Sequence, residues 1–119
     1  MAARHNITID QGATFPLYII WKDPAGAPIN LTGYRIRMQI RQSPSTTVKL
    51  LDFDSNTLTA GQSIGALNST GVIDIKLAPS VTSALSFQNA EWDITATSGA
   101  GITTRLVQGK AWVSPAVTR

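Results

Sequence analysis

The 119-residue chain has no cysteine, a single histidine and only 14% charged residues. It therefore has no means of forming a disulfide framework, a thiolate metal site or a cysteine nucleophile. His5 has no second imidazole to share a metal and no motif around it, so it reads as an exposed or lightly packed side chain. No apolar run approaches the roughly 18 residues of a spanning helix, and MAARHNITID has no apolar stretch after its basic residue, so neither a membrane span nor a secretory signal is expected. Ten basic against seven acidic residues leave a net charge of +3 with no basic block, too little to argue for a nucleic-acid partner. Enough apolar material is present, 43% of residues, to exclude a disordered chain. The length fits one domain, residues 1–119, because two would each be too small to bury a sufficient core.

What is there is mostly period two, the spacing of a strand with one buried face. Tyr34, Ile36, Met38 and Ile40 alternate without a mismatch with Arg35, Arg37, Gln39 and Arg41. One side is core, and the other meets water or a partner. The same alternation places Ile73, Ile75 and Leu77 opposite Asp74 and Lys76, and Trp92, Ile94 and Ala96 opposite Glu91, Asp93 and Thr95. A further half-buried strand is expected around Val48 and Leu50, with a break at Leu51. Phe15, Leu17, Ile19 and Trp21 alternate with Thr14, Pro16, Tyr18 and Ile20, so both faces are fairly apolar, and Pro16 removes a ladder donor. That combination marks an edge strand or an irregularity. In the last segment Leu106 falls out of parity with Val107, Gly109, Ala111 and Val113, so a β-bulge near Leu106 to Gly109 is needed to keep one face inside.

Turns follow from Pro, Gly, Asn and Asp: DPAGAP at 23–28, the Ser, Thr, Asn and Gly-rich stretches at 54–70 and 97–101, and TSGAG as a hairpin tip. Residues 79–87 alone break the strand rhythm; Pro79 suits a first helical position, and Val81, Ala84 and Leu85 share a helical face over one or two turns. Six to eight short strands with regular turn signals predict an all-β, immunoglobulin-like antiparallel β-sandwich, followed by a short extended tail at 114–119. Ile36, Met38, Ile40, Ile73, Ile75, Trp92 and Ile94 are the expected inter-sheet core.

Chemistry-bearing patterns are sparse. Asp52 with Asp54, and Glu91 with Asp93, stand two residues apart on one strand face, a spacing open to calcium or acid–base use. For Glu91 and Asp93, cross-strand pairing with Arg35, Arg37 or Lys76 is more economical. There is no G-x-S-x-G element, and the nine glycines form no phosphate-binding loop. No catalytic residue, metal or cofactor is therefore expected. The three sequons at Asn6, Asn30 and Asn68 would matter only in a secretory pathway. The stripe of Arg35, Arg37 and Arg41 is a candidate protein-partner surface or a guard against unwanted strand pairing, with Arg41 beside the SPSTT loop the arginine expected to stay free and Glu91, Asp93 and Asp74 as neutralising neighbours. Trp21 and Trp112, near strand ends, are candidate interface anchors beside their alternative role in packing.

NITIDQGATF at 6–15, INLTGYRIRMQIR at 29–41, AEWDIT at 90–95 and TRLVQGKAWVSPAVTR at 104–119 together resemble a family of small tailed-bacteriophage virion structural proteins, similar to the N-terminal β-sandwich module of phage baseplate upper proteins. The resemblance covers nearly the whole chain, and its most specific piece is L-T-G-Y leading into the arginine-rich strand. Pro16 and the Ala111–Trp112 pair depart from the family pattern and bear on which edge faces a partner. The resemblance implies a non-enzymatic virion component, assembled in the host bacterial cytoplasm. It would act in the tail or baseplate as an adaptor to fibres or peripheral proteins, or alternatively in capsid decoration. Its partners would be other virion proteins in multiple symmetric copies, with no nucleic acid, membrane or small-molecule substrate. A carbohydrate-binding module is a further alternative and requires exposed aromatics on a concave face.

Overall fold

The unbroken alternation of residues 35–41 makes one of the central strands of the fold. A computed structural model describes residues 3–117. In chain order they form β1 (Ala3–Arg4), β2 (Ile7–Asp10), β3 (Phe15–Ile20), β4 (Arg35–Arg41), β5 (Leu51–Asp54), β6 (Gln62–Ile64), β7 (Val72–Leu77), the short α1 (Pro79–Thr82), β8 (Ala90–Thr97) and β9 (Thr103–Ser114). The larger sheet runs β1-β9-β8-β4-β5, with β2 continuing the line of β1 along β9; the smaller runs β3-β7-β6. The two sheets pack as an all-β sandwich, as expected.

The core lies where parity placed it. Ile36, Met38, Ile40, Ile73, Ile75 and Ile94 are fully buried and Trp92 nearly so. Phe53, Leu77, Ile9 and the turn residue Leu31 are fully buried with them. Pairing across β8 and β9 slips by one residue between Ile94 and Thr95: Ile94 faces Val107 but Thr95 faces Arg105, leaving Leu106 as the extra residue. This bulge keeps Val107, Gly109, Ala111 and Val113 inside. The hairpin tip closes through Ser98 N–H to Ile102 C=O at 2.9 Å.

Four local expectations need correction. Val48 is 65% exposed and outside any strand, because pairing with β4 starts at Leu51 and buries Leu51 and Phe53 instead. Within the expected loop 54–70, Gln62–Ile64 forms β6, held between β7 and a Gln62 side-chain bond to the Asp52 carbonyl (3.0 Å). The short helix begins at Pro79 as expected, but Ala84 is exposed and the residue it buries is Thr82, whose hydroxyl donates to the Ala13 carbonyl at 2.8 Å. Ser114 belongs to β9, so the tail starts one residue later, and its last two residues lie outside the described range.

Pairing of β1 and β2 with β9 is parallel and in one continuous register, Ala3 with Val107 through Asp10 with Ser114. Between them, at His5 and Asn6, the chain bends inward over Gly109. The His5 carbonyl accepts from Trp92 Nε1 at 2.8 Å, and Asn6 Oδ1 accepts from the Lys110 N–H at 3.1 Å. Any Cβ at Gly109 would collide with the His5 carbonyl, so only glycine permits this approach. His5 itself is exposed, as expected.

Candidate assembly surfaces

The outer face of the larger sheet gathers Arg35, Arg37, Gln39 and Arg41 from β4, Asp52 and Asp54 from β5, Glu91 and Asp93 from β8, and Arg105 and Lys110 from β9, because these positions alternate with the buried ones. Arg35 grips Asp54 with two nitrogens, Nε to Oδ1 at 2.9 Å and Nη2 to Oδ2. Asp54 also accepts from the Asn56 N–H at 3.0 Å and is buried. The Arg35 hydrogen bond, helped by Asn56 and the nearby charge of Arg37, holds its carboxyl down to about 2 against the opposing effect of burial. Asp52 meets Gln39 Nε2 at 3.3 Å and Lys49 Nζ at 3.5 Å. The two β5 carboxylates share a face as expected, but they are taken up by arginine, lysine and amide neighbours and do not converge on a common point. Among the described residues no cluster of three His, Asp or Glu side chains is placed to hold a metal.

The neutralising partners differ from those expected. Asp74 and Lys76 lie on β7 in the opposite sheet and cannot reach the arginine stripe. Asp93 pairs with Arg105 at 3.4 Å, while Glu91 stands in register between Arg41 and Lys110. Arg41, expected to be free, donates to the Thr46 carbonyl at 2.7 Å and to Gln39 Oε1 at 2.9 Å, and so holds the SPSTT loop. Among the described residues it is the Nε of Arg37 that is buried without a hydrogen-bond partner. A shallow polar depression of about 400 Å³ opens on this face among Arg4, Arg41, Glu91, Asp93, Arg105 and Gln108.

The candidate tryptophans belong to different surfaces. Trp112 projects from the charged face beside Thr8 and is 38% exposed. Trp21, half-buried at the end of β3, packs edge-on against Tyr34 with ring centroids 5.8 Å apart. Exposed Tyr18 and Trp112 stand on opposite sheets, so they do not form a shared aromatic platform of the kind a carbohydrate site uses.

Sequence reasoning did not single out the outward side of β3. Among the described residues this strand is an edge, paired only with β7, which accounts for the tolerance of Pro16. Tyr18 is 61% and Ile20 48% exposed, and the strand carries no charge. Beside it a mainly apolar groove of about 580 Å³ runs between the sheets, where Ile19, Ile20, Trp21, Pro24, Leu106 and Val107 are joined by the charged Lys22, Asp23 and Arg105. The signal was present in FPLYII, whose two faces are both apolar on a strand marked as an edge by proline. Comparison with known protein families and with curated proteins found no match for the chain.

Proposed function

We propose that this protein is a non-enzymatic structural component of a tailed-phage virion, a tail or baseplate adaptor joining the tail machine to peripheral proteins. The observation that carries the reading is the open side of β3, where Tyr18 and Ile20 lie exposed on an uncharged edge beside a mainly apolar groove. A free soluble domain normally blunts such an edge with charge or proline or covers it, and here Pro16 alone does so, removing one donor. A component held by neighbours buries it. The resemblance of the chain to virion β-sandwich proteins supports the same reading, and the internally paired charges of the larger sheet leave that face suited to a polar rim. Candidate contacts are then Trp21, at the groove, and Trp112 with Arg37 on the charged face, with Arg35 and Arg41 serving mainly to hold Asp54 and the SPSTT loop.

Quantitative mass measurement of purified particles tests it. A copy number in small multiples of three or six is the expected result, as symmetric tail rings require. Hundreds of copies would move the protein to capsid decoration, and absence from particles would overturn the virion reading.

A further inference from the structure

The pairing of β3 with β7 dictates which main-chain groups are left over. The Trp21 N–H donates to the Gly71 carbonyl at 2.8 Å, one step beyond the Ile20–Val72 pair. In an antiparallel ladder hydrogen-bonded pairs alternate, so the odd-numbered residues of β3 face β7 and the even-numbered ones direct their N–H and C=O to the open edge. Tyr18 and Ile20 thus present donors and acceptors, whereas Pro16 presents an acceptor alone. The same even-numbered residues carry the exposed side chains.

We propose that this edge pairs with the same edge of a second copy of the chain, antiparallel about a two-fold axis at Tyr18, merging two three-stranded sheets into one of six strands. In this register each Tyr18 N–H meets the Tyr18 carbonyl of the other copy, and each Ile20 N–H meets the other copy's Pro16 carbonyl. The missing donor of Pro16 leaves only the Ile20 carbonyl opposite it unpaired, at the two ends of the junction. Charge is complementary in the permissive sense. β3 has no charged residue, Lys22 comes to lie opposite Thr14, and the two copies of Asp74 stand three strand spacings apart, about 14 Å, beyond the screening length at physiological salt. On the outer face Pro16 neighbours Ile20 and Tyr18 neighbours its own copy. On the inner face Ile19, which lines the groove together with Leu106 and Val107, comes opposite the buried Leu17 of the other copy. The contact is isologous, so it closes at two copies.

A six-residue edge is about 20 Å long and buries less than the roughly 800 Å² per partner of a standard interface, so the dimer is weak, in the micromolar range or above. Sedimentation equilibrium of the purified chain across that range should show a monomer–dimer equilibrium insensitive to salt. Tyr18→Lys, which sets two cations on the axis, should weaken it at least ten-fold without moving the melting temperature, and Ile20→Lys should do likewise. Because the chain has no other cysteine, Tyr18→Cys should oxidise to a covalent dimer, the Cα separation of a hydrogen-bonded antiparallel pair matching that of a disulfide. A monomer at every concentration would overturn the proposal, as would a dimer that survives Tyr18→Lys and cross-links through Trp112→Cys. A dimer that does not cross-link at Tyr18→Cys would overturn the register. Both readings start from the same edge: a self-paired dimer would leave that edge unavailable to other virion proteins, while the particle copy number tests the virion reading independently of the dimer.

Discussion

The outer faces of the two sheets solve the same problem in opposite ways. On the larger sheet nearly every outward side chain is polar, and several of its charges are taken up locally, Asp54 by Arg35, Asp93 by Arg105, and the Arg41 guanidinium by a loop carbonyl, while among the described residues Arg37 Nε stays without a partner. On the smaller sheet the outward side of β3 is apolar and its backbone edge has no partner among the described residues. A face whose charges satisfy one another gains little from a partner, because any new contact must first break an existing one. An uncharged edge loses nothing on pairing. The density of charge is therefore a poor guide to where a partner would bind.

The comparison rests on both sheets sharing one core, and that is where the largest effect should appear. Ile75→Ala on the smaller sheet and Ile94→Ala on the larger should each cost about 2 to 5 kcal/mol in urea unfolding, since both side chains are fully buried. A loss below about half a kcal/mol at either would show that its sheet does not face the core. Next comes the lock at the edge of the larger sheet. Gly109→Ala should displace the His5 carbonyl, strand the Trp92 N–H at a cost of about 1 to 3 kcal/mol, and raise hydrogen exchange in β1 and β2 before the rest of the fold.

The charged face has a pH signature that the apolar edge lacks. The carboxyl of Asp54 sits at about 2 in the folded protein against an ordinary 3.8, so the unfolded chain takes up its proton first. Its stabilising contribution is complete above the unfolded value and is lost as pH falls through the folded one, a window from about pH 4 to pH 2. Acid unfolding of Asp54→Asn should show a shallower loss across that window than the unmodified protein, and an identical slope would mean that the Arg35 pair does not form in solution. The smallest stability effect belongs to β3: Tyr18→Lys should change the unfolding free energy by no more than about 0.5 kcal/mol, because its side chain leaves water only on association. A large loss there would make Tyr18 part of the fold and remove the contrast between the two faces.

Much of the architecture was legible in the chain. The alternation over 34–41 placed Ile36, Met38 and Ile40 inside, the parity change after Leu106 required the bulge that Leu106 forms, and Pro16 marked its strand as an edge. These are local properties: side-chain period, ladder donors and turn chemistry act within a few residues, so the sequence by itself determined the buried faces of the strongly alternating strands and the all-β class, but not β6 or the true start of β5 at Leu51. What tertiary structure alone decided is which strands became neighbours. That Arg35 meets Asp54 while Asp74 is carried to the other sheet, that β1 and β2 run parallel to β9 over Gly109, and that Thr82 seeks the Ala13 carbonyl all depend on pairings between distant segments. Alternation fixes the side of a strand on which a residue lies but carries no information on the strand beside it. The open side of β3 is the clearest case: Tyr18 and Ile20 are apolar residues of an apolar strand in the sequence, and they became a surface only because no other segment of the described fold came to lie beside them.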